Sequence, residues 1–355
     1  MYLERFRDSE ILSGLAEKIK KYRFDRAINF MEVCGTHTVQ IHRYGLKDVL
    51  PPNVRHISGP GCPVCVTPQR YIDLACAYAD EGFLIVTFGD MLRVPGTRSS
   101  LEKKKAEGGK VEVVYSSRDA VLLAEENRDE KILFLAIGFE TTAPGIAATI
   151  REARERNLKN FWVLPGNKLV PPALEALLTS DVKIDGFLLP GHVSTIIGRK
   201  AYLFLEGRIP SVIAGFEPVD ILYGIDILLG LIKDGRCEVL NAYGRAVREE
   251  GNEPAQEIMY SVFEVCDSEW RGLGKIEHSG LSLKDEWKDF DVTERFPVDI
   301  PEPVEHPGCR CGDVLQGKLT PPECPLFGKA CTPENPVGPC MVSTEGSCSA
   351  YYKYG

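Results

Sequence analysis

The residues best equipped for chemistry in this 355-residue chain are its twelve cysteines. Six of them, Cys309, Cys311, Cys324, Cys331, Cys340 and Cys348, fall in a stretch rich in Pro and Gly near the C-terminus. Cys324, Cys331, Cys340 and Cys348 are separated by six, eight and seven residues, so four thiolates can close round one [4Fe-4S] cubane. Zinc is the competing reading, because four-thiolate zinc sites stabilise segments that lack a core. Zinc ligands usually come as close C-x2-4-C pairs, however, and these intervals are wider. Cys309 and Cys311 form a C-x-C pair that can hold a strained disulfide, ligate metal or stay reduced, and a thiol relay is its functional reading.

A second group lies near the N-terminus. Cys34 sits in Cys-Gly-Thr-His-Thr directly after an apolar run, where Gly35 permits close approach and Thr36, His37 and Thr38 supply polar groups. A lone cysteine is most often a small buried hydrophobe, but this polar turn argues for a thiol facing a cleft. Residues 59–65 read Gly-Pro-Gly-Cys-Pro-Val-Cys and place Cys62 and Cys65 in a stiff C-x-x-C loop. Half a zinc site is the alternative there, yet no close cysteine pair or paired histidines stand nearby to complete it, and thiol exchange fits better. Cys76, Cys237 and Cys266 lie in apolar contexts and read as packing.

Three other turns carry candidates. In Gly-Phe-Glu-Thr-Thr (138–142), Thr141 or Thr142 can cap a helix, while Glu140 has no comparable structural role. In Pro-Gly-His-Val-Ser (190–194), His192 can ligate, transfer a proton or orient a ligand, or sit at the surface as a cap. Asp90 and Arg93 read as a solvated ion pair or as strand-end site residues.

These turns need elements to aim them. Ile11, Leu12, Leu15 and Ile19 recur at helical spacing over residues 9–22, with Ser9 near the start. Beyond it, apolar runs of strand length alternate with glycine-rich turns and helical stretches. The predicted strands are Ala27–Val33, Gly82–Phe88, Val111–Tyr115, Lys131–Ile137, Asn160–Leu164, Gly186–Leu189 and Ser211–Ala214. Such alternation predicts parallel sheets covered by helices, with ligand sites at the carboxyl ends of the strands. The expected division is a first α/β lobe over 1–115, a second over 116–235 and a Cys-rich region over 236–355, with segments free to exchange between the lobes.

Composition excludes several classes. A net charge of -9 and pI near 5.4 argue against a nucleic-acid partner, which would need a basic face. The opening MYLERFRDSEILSGLAEKIKKYRF has charges every few residues and no apolar core of the kind a leader or membrane span requires, so a cytoplasmic location with no membrane partner is expected. In a reducing compartment twelve cysteines speak for metal or redox chemistry rather than disulfides. Neither G-x-x-x-x-G-K-[ST] nor G-x-S-x-G occurs.

CGTHT at 34–38, GPGCPVC at 59–65, GFETTAPG at 138–145, PGHVS at 190–194 and the six-cysteine tail, in that order, make the chain resemble the HypD family of hydrogenase maturation factors. The resemblance covers nearly the whole length. It implies a monomer with two Rossmann-like parallel-sheet lobes facing a cleft, plus a Cys-rich iron-sulfur C-terminal region. It implies that an Fe(CN)2CO centre for [NiFe] hydrogenases is assembled on the chain. Cys34 then matches the position that holds the nascent iron together with a cysteine of the small partner HypC, and Cys62 and Cys65 match a redox-active cleft pair. HypE is the implied cyanide donor. Under this reading a protonated His37 would favour the Cys34 thiolate, and Glu140, Thr142 and His192 would line the facing lobe and manage protons or diatomic ligands. The rival readings are a cluster-dependent thiol-disulfide reductase acting on a protein partner and a zinc-stabilised binding protein.

Overall fold

Apolar runs become buried parallel strands. The structure, a computed structural model describing residues 8–355, contains β1 (Ile28–Glu32), β2 (Val54–Ser58), β3 (Leu84–Thr87), β4 (Val111–Val113), β5 (Ile132–Gly138), β6 (Phe161–Asn167), β7 (Gly186–Pro190), β8 (Ser211–Ala214), β9 (Val239–Asn241), β10 (Phe263–Trp270) and β11 (Gly274–Leu283). One parallel sheet runs β2-β1-β7-β8-β9 and a second runs β4-β3-β5-β6. The expected α/β architecture of two sheets is therefore present, and every predicted strand has its counterpart. All seven residues of β5 and all five of β7 are buried, as strands covered on both faces must be.

The sheets do not follow the chain from end to end. After β1 and β2 the chain crosses over to build the whole second sheet, then returns to the first with β7, β8 and β9. A boundary at 115 thus falls inside the second sheet, and one at 235 cuts β9 from the sheet it completes. Each lobe is defined by strand pairing: residues 28–58 with 186–241, and residues 84–167.

Four strands escape the apolar-run criterion. β2 carries Arg55, His56 and Ser58, and β9 spans only three residues. β10 and β11 form an antiparallel hairpin with several exposed charged positions. That hairpin docks on the second lobe: the Leu169 N–H donates to the Ser279 carbonyl at 2.9 Å. Trp270 stacks on Phe139 with ring centroids 5.8 Å apart, and its indole N–H reaches Ser279 Oγ at 2.8 Å. The Cys-rich tail forms only short helices, and its last, Ser347–Tyr354, packs on the helix Gly35–Arg43 that follows Cys34. The Cys-rich tail and the turn that carries Cys34 are thereby brought together.

The N-terminal helix runs Ser9–Ile19 and is capped by Asp8, whose carboxylate accepts from the Glu10 N–H at 2.8 Å, rather than by Ser9. The expectation that no leader or anchor precedes it rests partly on residues 1–7, outside the described residues. Among the described residues no helix is long and apolar enough to cross a membrane.

Candidate functional site

The carboxyl ends of β1, β5 and β7 open onto one cleft of about 360 Å³, lined among others by Cys34, Thr36, Gly61, Thr142, His192 and Glu345. Cys34 leaves β1 with extended backbone and occupies the N-cap position of the helix Gly35–Arg43. The Gly-Pro-Gly loop presses directly against it: the Gly35 N–H donates to the Gly61 carbonyl at 3.0 Å. A Cβ on Gly61 would lie 2.1 Å from the Cys34 nitrogen, so no other residue fits. Across the cleft Gly138 ends β5 at φ +146°, where a Cβ would meet Thr142 Oγ1 at 1.6 Å. The Thr142 hydroxyl turns back to the Phe139 carbonyl at 3.2 Å. His192 lies flat on Phe216, ring centroids 3.8 Å apart, and burial lowers its pKa.

The electrostatics of Cys34 differ from expectation. Burial pushes its thiol up to about 12, the nearby Glu345 carboxylate adds to this, and the His37 and Thr36 N–H groups only partly oppose it. His37 does not supply the expected positive charge. It is fully buried, its Nε2 pairs with the Gly215 carbonyl at 2.8 Å, it stacks on Phe216, and burial holds it neutral with a pKa of about 4. Two residues absent from the sequence reading frame Cys34 instead. Glu32 is fully buried and accepts the Cys34 N–H at 2.8 Å and the Thr38 hydroxyl, and burial raises its pKa to about 8. Glu345, from the tail, accepts from the Thr36 hydroxyl at 2.6 Å.

Cys62 and Cys65 continue the same loop into the short helix Pro63–Val66 and are 3 % and 0 % exposed. The Cys65 N–H donates to Cys62 Sγ at 3.2 Å. Burial raises the Cys62 thiol. It acts on Cys65 too, but hydrogen bonds with Cys340 and Cys62 outweigh it and bring Cys65 down to about 6, making it the more acidic of the pair.

Cys340 belongs to the tail, where Cys309, Cys311, Cys324, Cys331, Cys340 and Cys348 all line one pocket with Val314, Leu326, Phe327 and Met341. The Sγ atoms of Cys311 and Cys340 stand 2.6 Å apart, and Cys340 also contacts Cys348 and Cys65. Among the described residues no group of three His, Cys, Asp or Glu side chains is placed to grip a metal ion. The donor set, six thiols in an apolar pocket, fits an iron-sulfur cluster in kind. The pocket unites the four expected ligands with the expected relay pair.

Glu140 does not line the cleft. It is 1 % exposed, and its Oε1 accepts the Val170 N–H at 2.9 Å at the start of the helix Val170–Leu178. It therefore has the structural role that its sequence context failed to suggest. Its Oε2 is buried without a hydrogen-bond partner, and burial raises its pKa to about 7. The sign follows: stability is full below the ordinary value near 4.5 and is lost as pH rises through 7. Glu140→Gln, which keeps the acceptor, is expected to gain up to about 3 kcal/mol at pH 8 and nothing at pH 4, read from thermal melts at the two pH values.

Asp90 and Arg93 do not pair. Arg93 turns to Glu102 and to the Glu334 carbonyl, while Asp90 binds the tail at Ser343 and Thr344. Cys76 is buried in the helix Gln69–Asp80, whereas Cys237 and Cys266 are half-buried, and none of the three lines the cleft or the tail pocket.

Residues 10–355 match HypD, described as the hydrogenase formation hypA family. The chain belongs to the HypD family. It is 46% identical to hydrogenase maturation factor HypD2 of Bradyrhizobium diazoefficiens, over 100% of this chain and 97% of that one. HypD of Cupriavidus necator is 45% identical, over 100% of this chain and 97% of its own. HypD of Escherichia coli is 43% identical, over 99% of this chain and 98% of its own. As a HypD-family protein the chain is assigned to hydrogenase maturation. The matched span contains all five motifs, and the fold gathers three of them, CGTHT, GFETT and PGHVS, round the cleft, with the GPGCPVC loop forming its floor.

Proposed function

We propose that this protein is the scaffold on which the Fe(CN)2CO centre of [NiFe] hydrogenases is assembled. The observation that carries the reading is the position of Cys34, a single thiol at a strand end facing Thr142 and His192 across the cleft, with its backbone pressed against Gly61 of the loop that carries Cys62 and Cys65. Low-spin iron carrying cyanide and carbon monoxide prefers soft donors, and Cys34 supplies one to the iron as cargo. Because burial favours the protonated thiol, it is the arriving cation that lowers the Cys34 pKa and takes the place of its proton, which leaves to the solvent of the cleft. His192 then offers a hydrogen bond to the diatomic ligands from the facing lobe, and Thr142 adds one if its hydroxyl turns from the Phe139 carbonyl to the cleft.

Cys324, Cys331, Cys340 and Cys348 would hold a [4Fe-4S] cluster, which supplies electrons when bound. Cys65 sits against Cys340, so the Cys62 and Cys65 thiols lie between the tail pocket and the cleft, and Cys309 and Cys311 border the same pocket as relay thiols. The partners are HypC, which shares the iron through its own cysteine, and HypE, which donates cyanide. The protein works as a monomer within those complexes, in the cytoplasm. A cluster-dependent thiol-disulfide reductase is the second reading, favoured by the same Cys65 to Cys340 contact.

Anaerobic purification with the small partner, followed by infrared spectroscopy across the cyanide and carbonyl regions and metal analysis, tests the proposal. Diatomic bands with iron beyond one cubane are the expected result. Iron for one cubane without bands favours the reductase, and zinc alone discards both.

A further inference from the structure

The tail crosses the back of the cleft between Cys340 and Cys348 as a short strap, Met341 to Ser347, that none of the motif roles above employs. Its centre is held from the other lobe. Asp90, at the carboxyl end of β3, accepts three hydrogen bonds on Oδ2: from Ser343 Oγ at 2.9 Å, the Thr344 N–H at 2.9 Å and the Thr344 hydroxyl at 3.0 Å. Because the Ser343 hydroxyl proton points at Asp90, the oxygen lone pairs are free to accept. They do so from the Glu345 N–H at 3.2 Å and from the Cys62 thiol at 3.3 Å. Ser343 is 1 % exposed and Cys62 3 %, so water cannot take their place, whereas Asp90 is half-buried and reaches solvent.

We propose that Ser343, oriented by Asp90, is the proton relay of the Cys62 thiol. The Cys62 S–H proton passes to Ser343 Oγ as the Ser343 hydroxyl proton passes to Asp90 Oδ2. One S–H and one O–H bond break and two O–H bonds form. The negative charge moves from the carboxylate to sulfur, and the new Ser343 hydroxyl donates to the thiolate it has made. Ser343 is the residue touching the reacting atom, and Asp90 is a positioning residue acting through it. The other ionisable groups facing Cys62 are Cys65 from its own loop and Glu345 from the strap, and both oppose a thiolate there. Ser343 is the side chain that favours it, alongside the Cys65 N–H. The inference rests on the reading of Cys62 and Cys65 as a redox pair.

The test is the rate at which methyl methanethiosulfonate modifies Cys62 in the reduced full-length protein, followed by peptide mass spectrometry across pH, with Cys34 in the same samples as reference. Ser343→Ala is expected to slow Cys62 about tenfold at pH 8 and shift its pH midpoint upward, leaving Cys34 unchanged. Ser343→Thr restores the wild-type profile, and Asp90→Asn slows Cys62 in the same direction. An unchanged Cys62 profile in Ser343→Ala overturns the relay. Equal acceleration of Cys62 and Cys34 also overturns it, by showing that the strap only packs. Failure here is separable from failure of the scaffold reading, since no diatomic band enters the measurement.

Discussion

Cys34→Ala is expected to abolish loading of the iron-cyanide unit while leaving the proposed tail cluster, read by its brown chromophore, intact. Cys34 is the one cysteine lining the cleft among the described residues, and the tail pocket is built from six others. The backbone that shapes the turn survives the change. The Cys34 N–H still donates to Glu32, its carbonyl still accepts the Thr38 N–H at 3.1 Å, and the Gly35 to Gly61 bond involves no side chain. Removing one sulfur from a site already open to the cleft costs about 1 kcal/mol, small against the stability of a chain this size. Cys34→Ser sharpens the test, because a hydroxyl of nearly the same shape is a hard donor that low-spin iron disfavours. Infrared bands and iron content in both variants check the outcome. Unchanged loading in either would remove Cys34 from the proposal.

What sequence could and could not supply is clear from the two carboxylates on either side of Cys34. The thiol itself was legible, because a cysteine followed by glycine and hydroxyl residues after an apolar run has few purely structural readings. The parallel sheets were legible for the same reason, since β5 and β7 are apolar throughout. Glu32 was not: it lies within a buried strand, and only the meeting of its side chain with the Cys34 N–H and Thr38 six residues on gives it a role. Glu345 is more remote still, 309 residues from the Thr36 it binds. The Glu345 pairing is created by the docking of the tail, and no local pattern encodes it. His37 and Glu140 failed in the opposite way. Their motifs made them eligible, and burial assigned one to a backbone carbonyl and the other to a helix start.

The tail offers the larger test, because there sequence spacing and geometry must be separated by experiment. Cys340→Ser is expected to remove the chromophore and most of the iron. Cys340 is 1 % exposed and contacts Cys311, Cys348 and Cys65, so it stands where the tail pocket meets the Cys62 loop. The tail has only short helices, and under the proposed cluster assignment residues that lack a core of their own would depend on that metal for folding. Loss of that support is expected to cost about 4 kcal/mol and lower Tm by roughly 5 °C. The damage should also spread to Cys34 loading, because the strap that carries Ser343 and Glu345 begins at this residue. Cys309→Ser provides the contrast. Cys309 is half-buried and lies outside the four widely spaced cysteines, so this variant should keep its iron and chromophore. Iron analysis, visible absorption and thermal melts on the two variants decide the matter. If Cys309→Ser loses iron as fully as Cys340→Ser, the ligands are not the four that spacing selects, and the relay role passes to another member of the six.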